Sequence, residues 1–402
     1  MIILKRTLLI ISVSILFCMP AIALENDDSW SSLVKELIQA ELESTGTPSI
    51  QVAIGKDNKV IFNEAFGLAD VENNVQATPN TKYRIGSVSK WITATSVMAL
   101  VDQGQIDLDS PIQTYCKTYP VKEFKVSTRQ LLNHTSGIRH YIDYDDEIKK
   151  ATSIELANQL KNKRDRDIIS SYTRYTDIES TLDSFKQDSL LFEPGTEWSY
   201  SSHAYRVLGC VLEGASQKSY RELIDELVFR KAKLKSTIDD DSWAIIPNRA
   251  TGYRLNRDKT LRLADMRDVS ENLPAGGHLS TASDLIVFSQ AFRSGTLLSN
   301  ESISIMSRPF RPVEVKTERE SSWRDAIPSK NYYGYGTMFF PSKDDMWLGH
   351  TGRIAGGSSI VLLHPKYNLS IAILTNAKGW NGYISLSNKI KAVLEQNARI
   401  LH

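Results

Sequence analysis

Tyr83-Arg84-Ile85-Gly86-Ser87-Val88-Ser89-Lys90 is the stretch on which the reading of this chain turns. Trp91, Ile92, Met98 and Val101 follow it at helical spacing, which predicts a helix from Ser87 to a stop at Gly104. Near a helix start, positions i and i+3 share one face, so the Ser87 hydroxyl and the Lys90 amine become neighbours. A lysine sheltered from water loses its proton near neutral pH and can act as a base. The unpaired N–H groups of the first turn can stabilise an oxyanion. The S-x-x-K pattern alone is not specific: Ser32-Leu33-Val34-Lys35 also fits it and reads as an exposed helix face.

Two further boxes give the pattern weight. Glu193-Pro194-Gly195-Thr196 leads into Tyr200-Ser201-Ser202, where a phenol and a hydroxyl two residues apart can point to one side of an extended segment. His350-Thr351-Gly352, followed by Arg353, stands just before a strand-like run, and its glycine would let a substrate backbone approach closely. Taken alone, Tyr200 reads as a core tyrosine and His350 as a structural histidine. It is the order and spacing of all three boxes together that carries weight.

Working outward, Trp30, Leu33, Val34, Leu37, Ile38 and Leu42 predict a first helix, stopped by Gly46 and Pro48. Ile50 to Ile54 and Val60 to Phe66 predict a hairpin about the polar turn Lys56-Asp57-Asn58-Lys59. Thr281-Ala282-Ser283-Asp284 resembles a capping box ahead of Leu285-Ile286-Val287-Phe288. Met346 to Leu348, Ser358 to Leu363 and Leu369 to Thr375 predict strands, and Ile384, Ile390 and Leu394 a last helix. Together these predict an α/β (α+β) fold: an antiparallel sheet flanked by helices, built from about 30–105 and 275–400, with a mostly helical insertion at about 106–274.

On these boxes the chain resembles the serine β-lactamase and penicillin-recognising D,D-peptidase superfamily, in its class C-like branch. The resemblance also covers Gly104-Gln105-Ile106-Asp107-Leu108-Asp109, Leu131-Leu132-Asn133-His134-Thr135-Ser136-Gly137-Ile138, Pro194-Gly195-Thr196 and Ala275-Gly276-Gly277. Ser136-Gly137-Ile138-Arg139-His140-Tyr141 is especially similar to the mitochondrial serine β-lactamase-like proteins and their bacterial relatives. The resemblance implies a β-lactamase/transpeptidase-like fold, Ser87 as nucleophile, Lys90 as its proton partner and Tyr200 as base and then acid. It implies an oxyanion hole from the backbone N–H groups of Ser87 and Arg353, and substrate contacts from Ser202, His350, Thr351, Gly352 and Arg353. Two positions depart from the common pattern: Ser202 stands where many members carry asparagine, and His350 where β-lactamases carry lysine. A mostly neutral histidine predicts weaker, acid-dependent attraction for a substrate carboxylate, improving as pH falls through about 6.5. That favours a peptidase, amidase or esterase over an efficient β-lactamase. The departures also leave open a binding or scaffold protein that has lost turnover.

The bulk numbers agree. Hydrophobic residues make up 41% and charged residues 24%, values of a globular protein with a core. The net charge of +1 argues against nucleic acid as the partner, leaving a small-molecule or peptide substrate. Lys5 and Arg6, the apolar run Thr7 to Met19 and Ala21-Ile22-Ala23 predict a signal peptide over residues 1–23 and export to a periplasmic or extracellular space, with residues 24–402 as one hydrolase domain. No other apolar run is long enough to span a membrane. Cys116 and Cys210 remain after cleavage, as a bridge or as two buried thiols. H-E-x-x-H, paired C-x-x-C, phosphate-loop and G-x-S-x-G motifs are absent, so no metal or cofactor is implied and an α/β-hydrolase is unsupported. The acidic run Asp143, Asp145, Asp146 and Glu147 reads as a solvated loop, and His134 and His140 as loop packing.

Overall fold

In Leu369–Thr375, Leu369, Ile371 and Ile373 alternate with Ser370, Ala372 and Leu374, and every one of these residues is buried. A strand reading this way must be covered on both faces, and the computed structural model, which describes residues 29–310, 317–318, 332–342 and 345–397, shows what covers it. The predicted signal segment lies outside the described residues.

The main sheet has seven antiparallel strands: β1 (Ser49–Lys56), β2 (Lys59–Asp70), β3 (Val75–Gln76), β4 (Met338–Ser342), β5 (Asp345–Ile354), β6 (Gly357–His364) and β7 (Leu369–Thr375). Their order across the sheet is β4-β5-β6-β7-β1-β2-β3, so the two ends of the chain meet where β1 pairs with β7, Val52 opposite Ile373. One face carries α1 (Ser29–Thr45) and the C-terminal helix Gly382–Gln396. Val34, Ile38, Leu386, Ile390 and Leu394 from these helices pack on Ile50, Val52, Ile54, Ile371 and Ile373. The other face carries α2 (Ser89–Asp102) and, after α3 (Ser202–Ser216), α4 (Ala282–Arg293). The C-terminal helix is α5.

α2 is buried on every side from Ser89 to Leu100, a helix enclosed by the fold rather than laid on its surface. Whatever stands at its first turn is therefore held by the whole core. α4 is capped as its sequence predicts, Thr281 accepting from the Asp284 N–H at 3.2 Å. Asp284 does not return the bond; its carboxylate accepts from the N–H groups of Lys235, Ser236 and Thr237 at 3.2, 2.7 and 2.8 Å. The segment between β3 and α4 also holds the helices Thr128–Leu132, Tyr144–Lys149 and Ile154–Tyr172. It contributes the short strands Tyr253–Leu255 and Leu261–Leu263, which join Ala377–Lys378 in a small side sheet. Cys116 and Cys210 form a disulfide that ties α3 to the loop after Ile112–Thr114. No helix among the described residues is long and apolar enough to cross a membrane.

Candidate active site

The predicted helix at Ser87 begins with one tight turn, Gly86–Val88, that runs into α2. Gly86 has φ +50°, and a side chain there would put its Cβ 2.8 Å from the Arg353 nitrogen. On the facing strand, a Cβ at Gly352 would overlap the Ile85 carbonyl. Glycine at both positions lets β5 lie directly against the Ser87 turn, and the Ser359 hydroxyl donates to the Ile85 carbonyl at 2.7 Å. The His350-Thr351-Gly352 box lies inside β5 rather than before a strand, since the strand continues to Ile354.

Lys90 is fully buried, and its Nζ lies 3.1 Å from Ser87 Oγ, 3.0 Å from Ser202 Oγ and 2.7 Å from the Ala275 carbonyl. It forms no ion pair with a carboxylate among the described residues, and burial pushes its pKa well below the ordinary lysine value. A neutral amine has two donors and one lone pair. The carbonyl can only accept, so the arrangement is satisfied with Nζ donating to Ala275 and Ser202 and accepting from the Ser87 hydroxyl. Tyr200 closes the other side. Its phenol hydrogen-bonds Ser87, its ring centroid lies 5.1 Å from Lys90 Nζ, and burial raises its pKa, keeping the phenol protonated. The structure thus brings Ser87 and Lys90 together with Tyr200 and Ser202 from two distant parts of the chain.

Ser87, Tyr200 and Ser202 face a cleft of about 290 Å³ lined also by Thr351, Arg353, His140, Asn272 and Met338, with Lys90 buried behind them. Ile354 opposes Gly357 as the last pair of the β5–β6 hairpin. Antiparallel alternation then pairs Gly352 and His350 with β6 and turns the Arg353 N–H to the outer edge. β4 no longer covers that edge, because its pairing ends with Met338 opposite Gly349.

His350 departs from the expectation. It is completely buried, does not line the cleft, and burial pushes its pKa down to about 3, with the Lys90 charge adding to the effect. Its Nδ1 lies 2.6 Å from the Thr351 carbonyl, which can only accept, so Nδ1 carries the proton and Nε2 accepts from the Tyr333 hydroxyl at 3.2 Å. A ring held this way is not a carboxylate-steering cation at pH 6.5. It supports the loop behind Tyr200, whose ring centroid is 6.5 Å away.

Two residues assigned to loop packing do more. His134 Nδ1 accepts from the Ser201 N–H and His140 Nδ1 from the Ser202 N–H, both at 3.1 Å. Their rings lie 4.3 and 5.5 Å from that of Tyr200. They lock the segment that carries Tyr200 and Ser202, and burial keeps both rings neutral. The signal lay in the tract Leu131 to Tyr141, which stands out only as a block.

The family model described as Beta-lactamase matches residues 34–393. The chain belongs to the Beta-lactamase family, a family of serine hydrolases. Among curated relatives, the serine beta-lactamase-like protein LACTB, mitochondrial, of Homo sapiens is 28% identical over 397 residues, covering 83% of this chain and 71% of that one. The crystal structure of D-amino acid amidase from Ochrobactrum anthropi SV3 complexed with L-phenylalanine superposes with a TM-score of 0.73 at 19% identity, covering 92% of this chain and 99% of that one. The octameric penicillin-binding protein homologue from Pyrococcus abyssi gives a TM-score of 0.70 at 22% identity, over 90% and 77% of the two chains. At these identities the structural likenesses establish the fold: mixed α and β, an antiparallel sheet flanked by helices.

Proposed function

We propose that this chain is an exported serine hydrolase that cleaves a small amide or ester through an acyl-enzyme on Ser87. The observation that carries the reading is the buried Lys90 amine, 3.1 Å from Ser87 Oγ and paired with no carboxylate among the described residues. Burial favours the neutral Lys90 amine, which can accept a proton, and burial of Tyr200 keeps its phenol protonated and available as a donor.

The steps follow from those two states. Lys90 Nζ takes the Ser87 proton as Oγ bonds to the substrate carbonyl carbon. The oxygen gains the negative charge and accepts from the Ser87 and Arg353 N–H groups; loss of one such donor typically costs about 3–4 kcal/mol in the barrier. Collapse breaks the bond to the leaving group, which takes the Tyr200 proton, and the lysinium returns one to the phenolate. Water then attacks the acyl-enzyme by the same route, reversed. Thr351 and Arg353 border the substrate, and Ser202 holds Lys90 while facing the cleft.

The amide or ester class is supported by the family and by the amidase among the structural neighbours. Export is supported by Lys5, Arg6, the apolar run Thr7 to Met19 and Ala21-Ile22-Ala23. A fluorophosphonate probe should label the wild-type protein, and Ser87→Ala should abolish labelling together with turnover of nitrophenyl acetate. Labelling that survives in Ser87→Ala overturns the nucleophile; inertness of the wild type toward esters, peptides and β-lactams favours a binding scaffold.

A further inference from the structure

Asn272 lines the cleft beside Gly86 and Gly276, and the fold makes no use of its carboxamide. Its Oδ1 is buried without a hydrogen bond, and its Nδ2 makes none among the described residues. The backbone around it, by contrast, is held from several sides. The Asn272 N–H donates to the Val269 carbonyl at 3.0 Å, and the neighbouring Glu271 accepts from Ser170 at 2.8 Å. The carbonyls of Pro274 and Ala275 accept from Thr93 at 2.6 Å and from Lys90 at 2.7 Å. The turn that fixes the amine of α2 thus fixes Asn272 as well. An unpaired polar side chain on a turn otherwise so well satisfied points to a partner that the fold does not supply. Glycine at 276 makes room for the carboxamide. A Cβ there would stand 2.8 Å from Asn272 Nδ2 and 3.5 Å from the Gly86 carbonyl carbon, the atom bonded to the Ser87 nitrogen. Nδ2 therefore stands close to the reacting serine.

A carboxamide nitrogen carries two N–H donors and no acceptor, so its counterpart on a substrate is an oxygen. Ser202, the substrate contact expected from the sequence, has its own oxygen taken up by Lys90. Tyr200 reaches Ser87 from the segment before α3 and gives its proton to the leaving group, whereas Asn272 reaches it from the Gly86 side. The acyl portion, which stays bonded to Ser87, is then the part that meets Asn272. We propose that Asn272 is a specificity-determining residue whose Nδ2 donates to a second carbonyl oxygen, on the acyl portion of the substrate. The substrate is an acyl compound with a carbonyl a few bonds beyond the one attacked, rather than a plain alkanoyl ester or amide. This rests on the acyl-enzyme reading above and supplies the substrate class.

The test compares nitrophenyl 4-oxopentanoate, which has a second carbonyl on its acyl chain, with nitrophenyl pentanoate, which lacks it. Intrinsic reactivities cancel when the ratio of the two kcat/KM values is compared between wild type and variants. That ratio should be about three- to tenfold larger in wild type than in Asn272→Ala, the scale of one neutral hydrogen bond. Asn272→Asp keeps the shape but exchanges the donors for acceptors, and should lose the preference as fully as Asn272→Ala. The side chain bonds nothing in the fold, so both variants should fold. A second pair, phenyl butyrate and 3-acetylphenyl butyrate, moves the extra carbonyl to the leaving group, and its ratio should not depend on position 272. Equal pentanoate ratios in wild type and Asn272→Ala, a preference that survives in Asn272→Asp, or one confined to the leaving-group pair overturns the assignment. If neither pentanoate ester acylates Ser87 the hydrolase reading has failed and this inference with it. Acylation by both, with a ratio indifferent to position 272, sinks the role of Asn272 alone.

Discussion

Replacing Lys90 with methionine separates catalysis from packing. Methionine keeps an unbranched chain of similar bulk in the buried channel but offers no lone pair of comparable basicity to Ser87. A positioned general base contributes about 10²–10⁴-fold, so acylation should fall by that factor, or about 3–5 kcal/mol of barrier. The fold should suffer less. Loss of the donor to the Ala275 carbonyl costs about 1–3 kcal/mol, partly offset because no amine need be desolvated. The pH dependence gives a sharper signature. The unfolded lysine binds a proton below its ordinary value of 10.5, while the folded one does so only at much lower pH. Over that window the unfolded wild type holds more protons, so its stability falls as pH falls. Lys90→Met lacks this penalty and should gain on wild type by up to about 1.4 kcal/mol per pH unit below 10.5, until the folded value is reached. Urea titrations at two pH values, with fluorophosphonate labelling rates on the same samples, read both quantities. A stability difference independent of pH, or labelling of Lys90→Met at the wild-type rate, would refute a neutral buried base.

Other expectations follow from the same geometry. Tyr200→Phe should slow hydrolysis of amides by about 10²–10⁴-fold and of nitrophenyl esters much less, because nitrophenolate leaves without a proton; equal losses on both would remove the acid role. With His350 at about 3, the kcat/KM ratio of nitrophenyl hydrogen glutarate and its neutral methyl ester should stay flat between about pH 5.5 and 8, and a rise centred near 6.5 would restore that ring as a cation. Replacing Cys116 and Cys210 together by alanine opens a loop of 94 residues and should cost about 2–5 kcal/mol in denaturant titrations; an unchanged midpoint would contradict a formed bridge.

The parts of this molecule that repeat a simple period are legible in the sequence. Ile50 to Ile54 and Leu369 to Thr375 announce themselves as buried strands, and the helices of α1 and α5 by their apolar stripes. Where the period is broken by small or polar residues, the reading fell short. The sequence predicts β5 only around Met346 to Leu348 because Gly349, His350, Thr351 and Gly352 carry no β signature, yet it is the bare backbone of Gly352 that lets the strand press against Ile85. β4 was missed because Met338–Ser342 mixes two aromatics with a proline and has no alternation to count. Ser87, Lys90 and Tyr200 stand out in the sequence only through the order of the three boxes and the family resemblance they carry. The depressed titration of His350 was not legible, because whether a histidine is wrapped by Tyr333 and Thr351 or faces solvent depends on partners distant from any local pattern. The supporting role of His134 and His140 escaped for the same reason, since each acts through a backbone N–H more than 60 residues away.

The acyl-enzyme on Ser87 can be weighed directly. Intact-mass spectrometry of the protein quenched during turnover of a glutarate ester, followed by peptide mapping, should show one glutaryl addition on the peptide holding Gly86-Ser87-Val88, and none in Ser87→Ala. An adduct on any other residue, or rapid turnover with no adduct and no loss in Ser87→Ala, would contradict the account.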